Sequence, residues 1–308
     1  MEWPSKTIAN LIRHIERIED MDTKETEKYS QNGFIETAKD HFETIMLPKL
    51  MAISEEAVSH MLVFVEGSVV YGFCDEKSDV DIDYYIHMDA DESTRQQIRE
   101  LFTGETYWHK GVRVSYGFGG KYWKLDLLMN DAMDQFWEEF DPYALKNITL
   151  AVPLCDPEGI LASVQKKVAF YPENVRKKII RGLWLTVKDS GEYNFNEAVK
   201  RNNLIEGRIY QYRAIEAMMR LAYILNDQHF YPTKWLSAGL DQLQEDFGLK
   251  DALKKISILH NAELEYAEYM KVFERIRLFM IQNESIEEEC IENYGTIFRK
   301  PFHVFKTF

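Results

Sequence analysis

Hydrophobic and polar residues alternate with different periods along the chain, and these periods divide it into three zones. In the first and last zones, apolar residues recur every three or four positions, which predicts amphipathic helices. In the middle zone, short apolar runs are separated by turn residues, which predicts strands mixed with helices. The zones predict three domains, which are an N-terminal helical extension at 1–60, a mixed domain at 61–155 and a C-terminal all-helical domain at 156–308. The last boundary is expected near Asp156-Pro157.

Individual helices are predicted in both helical zones. The segments TIANLIRHIERI (7–18) and FIETAKDHFETIMLPKL (34–50) carry apolar residues at helical spacing, and Pro48 is expected to end the second. Beyond residue 160, the strand signals fade. One long helix is predicted across residues 196–227.

The middle zone is predicted to contain a sheet. Its strand candidates are apolar or alternating runs, and two of them flank Gly119-Gly120 and so predict a hairpin. A segment that opens with acidic residues is predicted as a helix. The strand candidates are MLVFV (61–65), DIDYYIHM (81–88), GVRVSYGF (111–118) and YWKLDLLM (122–129), and the helix candidate is DESTRQQIRELF (91–102). The predicted fold class is therefore α+β, with a mixed sheet between helical regions.

Composition narrows the class of protein. The chain has 308 residues, of which 45% are hydrophobic and 13% aromatic, so it can bury a sizeable core. Its net charge of −14 disfavours an extended phosphate-backbone partner, whereas a small anionic ligand is compatible if a metal or a local basic cluster supplies positive charge. The three cysteines (Cys74, Cys155 and Cys290) are far apart, odd in number and without CxxC spacing, which disfavours a disulfide framework and a zinc site. With no apolar leader or membrane span, the expected location is the cytoplasm.

One short stretch, VEGSVVYGFCDEKSDVDIDYYI (65–86), concentrates negative charge. Asp79 and Asp81 lie two residues apart, so on a strand they share one face and repel each other. Magnesium would turn this repulsion into ligation, because it prefers oxygen donors and is shared between carboxylates and substrate phosphates. Upstream, Gly67 permits a tight turn, and Ser68 offers a hydroxyl and backbone N–H groups to phosphate oxygens. Asp83 lies one step further on the same face, and its part in such a site is left open.

A third carboxylate follows on a later predicted strand. Asp126 is flanked by Lys124, Leu125 and Leu127, and a buried aspartate in such a strand is costly unless it is paired. Three aspartates from two strands can hold a pair of metal ions roughly 3.5–4 Å apart, which is the arrangement used in phosphoryl-type transfer. We expect two Mg²⁺ ions, for which Mn²⁺ can substitute.

The order of these segments resembles the signature of the DNA polymerase β-like nucleotidyltransferases. That superfamily includes antibiotic adenylyltransferases and minimal nucleotidyltransferases, and the resemblance covers about a fifth of the chain. It implies a nucleotidyltransferase-fold catalytic domain in which Gly67 and Ser68 contact the triphosphate. It also implies that Asp79, Asp81 and Asp126 bind metal and serve catalysis.

A closer resemblance extends through the helical half. The segments YGFCDEKSD, YPENVRKKI, MMRLAYILNDQHFYPTKW and RKPFHVFKTF are similar to an uncharacterised bacterial group known as a domain of unknown function. The metal motif of that group is often degenerate. This chain retains the full set of aspartates, which favours an enzyme.

The expected reaction moves a nucleoside monophosphate from a nucleoside triphosphate, ATP among the candidates, to an acceptor hydroxyl. An aminoglycoside-like cation suits an acidic protein as acceptor, and tRNA or a protein is the alternative. Lys234 is a candidate phosphate contact, and Glu206 is a candidate for the general base. A protein of another class, which binds a nucleotide or a partner through this fold without turnover, is the remaining alternative.

Overall fold

The computed structural model describes residues 29–86, 91–102, 106–117 and 123–302. The predicted helix at 7–18 and the Gly119-Gly120 turn lie outside these residues. The chain divides into two units, the first ending at Val168 and the second beginning at Ala169. The helix Ile160–Lys167 belongs to the first unit, so this division lies one helix later than the boundary expected near Asp156-Pro157.

In the described residues, the first unit contains one five-stranded mixed sheet, with the strand order β3-β4-β2-β1-β5. β1 pairs antiparallel with β2 and β5, β2 pairs parallel with β4, and β3 pairs antiparallel with β4. The strands are β1 Met61–Glu66, β2 Val80–Ile86, β3 Thr106–His109, β4 Val112–Gly117 and β5 Val152–Cys155.

Helices surround this sheet in the first unit. They are α1 Gln31–His41, α2 Leu47–Ile53, α3 Glu55–Ser59, α4 Ser68–Tyr71, α5 Glu92–Phe102, α6 Leu125–Met129, α7 Met133–Glu139, α8 Pro142–Leu150 and α9 Ile160–Lys167. A π-helical turn, Phe42–Met46, joins α1 to α2. Pro48 therefore does not end the helical run as predicted. It lies in the first turn of α2, where the missing N–H costs little.

The two faces of the sheet differ in polarity. Alternation along β2 turns Ile82 and Tyr84 to one face, which α1 covers. His41 of α1 is buried there, and its Nδ1 lies 2.8 Å from the Tyr116 hydroxyl. The opposite face carries Asp81 and Asp83, so the polar positions of β2 point away from this core.

The second unit is helical, and no strand occurs in its described residues, 169–302. Its elements are α10 Glu173–Thr186, a π-helix Val187–Phe195, α11 Asn196–Lys200, α12 Leu204–Leu225, 3₁₀ turns Thr233–Trp235 and Ala238–Gln242, α13 Leu249–Ile258, α14 Ala262–Gln282, α15 Glu288–Glu292 and α16 Tyr294–Ile297. The helix predicted across 196–227 is thus interrupted between Lys200 and Leu204, where Asn202 takes a positive φ of 56°. The predicted α+β class is confirmed, with helices before the sheet and a helical second unit. Among the described residues, no helix is both long and apolar enough to cross a membrane.

Candidate functional site

The polar face of the sheet brings together residues from three neighbouring strands. Glu66 of β1 is the register partner of Asp81 of β2, and Asp81 is also the register partner of Ser115 of β4. Asp83 lies two residues further along β2 and beside Gly117. Because register partners point to the same side of a sheet, these side chains share one surface. We call this surface the acid face, defined by Glu66, Asp79, Asp81 and Asp83.

The Gly67-Ser68 turn packs directly against the acid face. Gly67 has φ 76° and ψ −149°, which is close to a backbone region that is essentially restricted to glycine. A Cβ at Gly67 would lie 2.8 Å from Asp81 Oδ2, which is too close for a side chain. The predicted phosphate turn and one predicted metal ligand are therefore immediate neighbours. α4 begins at Ser68 directly after the turn.

Burial and mutual repulsion perturb the carboxyl groups at the centre of the acid face. The pKa of Glu66 is raised well above its ordinary value, first by burial and then by the charges of Asp83 and Asp81. Burial, together with the charge of Asp81, raises the pKa of Asp83 to about 6. Glu66 and Asp83 are hydrogen bonded through their side chains, and this bond raises the pKa of Glu66 and lowers that of Asp83. This bond therefore favours the neutral form of Glu66 and the charged form of Asp83.

Close packing holds this carboxyl pair in place. A Cβ at Gly117 would collide with Asp83 Oδ1, so β4 approaches Asp83 with no intervening side chain. Glu66 Oε2 is buried and has no hydrogen-bonding partner among the described residues. An orphan carboxyl oxygen in such a position is unfavourable unless a proton or a cation satisfies it.

Asp79 already has a cationic partner from the neighbouring strand. Arg113 Nη2 donates to Asp79 Oδ2 at 2.5 Å, and the Ser115 hydroxyl donates to the same oxygen at 3.3 Å. About half of the Arg113 side chain and about a quarter of the Asp79 side chain are exposed. The ion pair is therefore open to solvent, and an incoming cation or anion can compete for either partner.

The strand predicted for Asp126 is wrong, because the structure places this residue in the short helix α6. The segment KLDLLM fits either element by pattern, since Leu125 and Leu127 alternate whereas Leu125 and Leu128 are three apart. The helix buries Leu125 and Leu128, and Lys124 takes a left-handed φ of 50° immediately before it. β4 pairs with β3 instead of a strand at 122–129.

Asp126 nevertheless lies against the same side of the sheet. The Tyr85 hydroxyl, from β2, donates to Asp126 Oδ1. Burial, followed by this bond, raises the pKa of Tyr85. Just before α6, Trp123 stacks on Phe64 with ring centroids 4.1 Å apart. Phe64 is the register partner of Asp83, so Trp123 covers the sheet next to the acid face.

The fit of these residues to Mg²⁺ is mixed. The carboxylate oxygens of the acid face are the hard donors that Mg²⁺ prefers, and a cation would relieve the crowding of Glu66, Asp81 and Asp83. In the described part of the chain, however, no three acidic, histidine or cysteine side chains are grouped as a metal site requires. Asp79 is engaged by Arg113, and Asp126 by Tyr85. The donor chemistry therefore fits one Mg²⁺ at the Asp79–Asp81 end, whereas a ready two-ion site is not formed.

The other two candidate residues belong to the second unit. Lys234 lies in the 3₁₀ turn Thr233–Trp235, and its Nζ is 4.9 Å from the centroid of the Trp235 ring. Glu206 is exposed in the first turn of α12. Their parts in phosphate binding and proton transfer stay predictions.

Sequence reasoning missed three members of the site, which are Glu66, Arg113 and Tyr85. Glu66 had a visible signal, because it is the single acidic residue at the end of the buried run MLVFV and directly precedes Gly67. Arg113 and Tyr85 had none, since their partners lie 34 and 41 residues away and depend on strand register and on α6.

The family comparison concerns mainly the second half of the chain. Residues 137–236 match a family model described as a domain of unknown function (DUF4037), which is about a third of the chain. Two of the four segments noted for their resemblance, YPENVRKKI and MMRLAYILNDQHFYPTKW, fall within this match, and the acid face lies outside it. A search of curated proteins found no match.

Among solved structures, the chain is similar to a nucleotidyltransferase-like protein from Exiguobacterium sibiricum 255-15. The likeness covers 84% of this chain and 78% of that chain, with 13% sequence identity and a TM-score of 0.44. A TM-score at this level is too low to transfer residues or activity from that protein.

Proposed function

We propose that the chain is a Mg²⁺-dependent nucleotidyltransferase that moves a nucleoside monophosphate from a nucleoside triphosphate to an acceptor hydroxyl, which loses its proton as pyrophosphate is released. The observation that carries this proposal is the contact of the Gly67 turn with Asp81. A turn without side chains next to a carboxylate gives a triphosphate access both to backbone N–H groups and to a carboxylate-bound cation. Gly67 and Asp81, which are fourteen positions apart in the sequence motif, are therefore also neighbours in space.

In this proposal, the Gly67 turn and the acid face bind different parts of the substrate complex. Gly67 and Ser68 would bind the phosphates, and Asp79 and Asp81 would hold Mg²⁺, which when bound neutralises the triphosphate and polarises the reacting phosphorus. Arg113 would leave Asp79 to the ion and turn to a phosphate oxygen, because an exposed ion pair exchanges partners at low cost. Asp126, oriented by the Tyr85 hydroxyl, would serve the acceptor side.

The acceptor and the remaining contacts belong to the same proposal. The net charge of −14 favours a cationic small molecule such as an aminoglycoside, through electrostatic attraction, over tRNA or a protein. Lys234 remains the proposed additional phosphate contact, and Glu206 remains a candidate for the general base.

A second function is favoured by a different observation. Arg113 already pairs with Asp79, and the Tyr85 hydroxyl already donates to Asp126, so these two carboxylates have partners without a second ion. A protein that binds a nucleotide through the Gly67 turn, without turnover, would not need a second metal ion. The two functions differ in whether a product forms.

The test is transfer of label from each nucleoside triphosphate, with Mg²⁺ or Mn²⁺, to aminoglycosides, tRNA and the protein itself. The parent chain is compared with the double variant Asp79→Asn, Asp81→Asn, which should lose both transfer and Mn²⁺ binding while remaining folded. Asp134→Asn, an exposed acidic residue of α7, is the matched control and should keep both. Transfer at the parent rate by the double variant would refute the assignment. Mn²⁺ binding and triphosphate binding without any product would support the second function.

A further inference from the structure

A polar cavity of about 220 Å³ opens next to the Asp79 end of the acid face. Trp108 and Arg113 line it from the β3–β4 hairpin, and residues 76–78 line it from the turn that leads into β2. Trp108 is the most prominent feature, because three-quarters of this large aromatic side chain is exposed. An exposed tryptophan on a sheet leaves a large apolar ring surface unused by the core.

The cavity is continuous with the proposed phosphate site through Arg113. Trp108 is the register partner of Arg113, so both side chains lie on the face that carries Asp79 and Asp81. Arg113 in turn contacts Asp79. From β2 across β4 to β3 is two strand spacings, roughly 9–10 Å. A ribose with its first phosphate can bridge that separation between the acid face and the Trp108 ring.

The turn that forms the other wall is held in a fixed shape. Asp75 Oδ1 accepts from the Lys77 backbone N–H at 2.9 Å, and the Ser78 hydroxyl accepts from the Asp75 backbone N–H, also at 2.9 Å. Ser78 N–H donates to the Asp75 carbonyl at 3.0 Å. A preformed wall lowers the entropic cost of binding. Glu76 and Lys77 supply an acceptor and a donor at its rim.

From these observations we infer that the Trp108 cavity is the nucleobase subsite of the proposed nucleotide site. The base stacks on the Trp108 indole, its polar edge faces Glu76 and Lys77, and the phosphates run past Arg113 towards the Gly67 turn. Stacking accepts every base, whereas Glu76 and Lys77 allow a preference among them. This inference rests on the proposed function, because it requires that a nucleoside triphosphate binds at the acid face.

The experiment measures calorimetric binding of ATP, GTP, CTP, UTP and inorganic tripolyphosphate, each with Mg²⁺, to the full chain. Trp108→Ala should weaken binding of the best nucleotide by about 5- to 150-fold, which is the value of one base–aromatic stack. Tripolyphosphate, which has no base, should bind Trp108→Ala as tightly as the parent. Trp108→Phe should restore most of the nucleotide affinity. Tyr212→Ala, which removes another exposed aromatic ring, in the second unit, is the matched control and should change nothing.

Each other outcome overturns a different part. Equal nucleotide affinity in Trp108→Ala and the parent would show that the base binds elsewhere. Parallel loss of tripolyphosphate affinity would show that Trp108 acts through the phosphate site. A parent chain that binds tripolyphosphate but gains no affinity from any base would refute the subsite alone. A parent that binds neither nucleotides nor tripolyphosphate would refute the proposed function together with the inference.

Discussion

Replacing Gly67 by alanine tests the central contact of the site. Gly67 has φ 76° and ψ −149°, and a non-glycine residue held in such a sparsely populated region costs about 1–3 kcal/mol. The new methyl group would also lie 2.8 Å from Asp81 Oδ2, so the carboxylate must move. We expect Gly67→Ala to lower the free energy of unfolding by at least the backbone cost and to weaken nucleoside triphosphate binding.

Gly159 provides a matched control in the same unit. It also has a positive φ, 68°, but a Cβ there meets no atom within 4 Å. Gly159→Ala should therefore cost only the left-handed backbone strain, about 1–2 kcal/mol. This control shares the positive φ of Gly67 but not its ψ, which is −149° at Gly67 and 29° at Gly159, so the contact with Asp81 needs a separate measurement.

A double-mutant cycle measures the contact directly. In an Asp81→Ala background the carboxylate is gone, so Gly67→Ala should cost less than in the parent, by on the order of 0.5–3 kcal/mol. The assay is urea unfolding followed by circular dichroism, with slopes compared to confirm that each variant unfolds in the same manner. Additive costs in the cycle would show that the turn does not pack on Asp81. The structural argument for the phosphate site would then fail.

Two further predictions follow from the acid face and from the opposite face of the sheet. Asp126→Asn should keep Mg²⁺-dependent triphosphate binding and reduce turnover by several orders of magnitude, because the lost interaction matters mainly in the transition state; equal loss of binding and rate in calorimetry and a product assay would contradict this. Burial, with help from the charges of His109 and Lys49 and against that of Asp40, lowers the pKa of His41 to about 4. As the pH is lowered, the unfolded chain takes up this proton near pH 6.5, whereas the folded chain does not until about pH 4. The free energy of unfolding should therefore fall by up to about 1.4 kcal/mol for each pH unit of acidification between these two values. In His41→Gln the fall should be shallower, and an unchanged slope in urea unfolding would contradict the assignment.

Some of this structure could be predicted because its cause is local. β2 and α5 follow from the periodicity of their residues, and β1 follows from a short apolar run that ends just before a glycine. The Gly67 turn and Asp81 also belong together by sequence, since only a short connection separates them and adjacent antiparallel strands bring their ends together.

Other features depend on tertiary context, which a local pattern does not contain. Leu125, Leu127 and Leu128 fit a strand or a helix equally well, and packing of Leu125 and Leu128 decides for the helix. The pairing of Asp79 with Arg113 depends on the parallel register of β2 and β4, which no residue in either strand specifies. The raised pKa of Glu66 depends on burial and on the charges of Asp83 and Asp81, which only the folded sheet brings close to it.

The strand order has a consequence for self-association. Both edges of the sheet are strands of four residues, and Pro153 in β5 offers no N–H to a neighbouring strand. Short edges of this kind discourage pairing with the sheet of another molecule. β1 is the strand that β5 covers, and its first five residues, MLVFV, are fully buried and carry neither charge nor proline. Such a run is prone to form intermolecular β-structure when its hydrogen-bonding edge is exposed. β5 therefore protects the hydrogen-bonding edge of β1. We expect a chain shortened before Val152 to aggregate through β1, although it would retain every residue of the acid face.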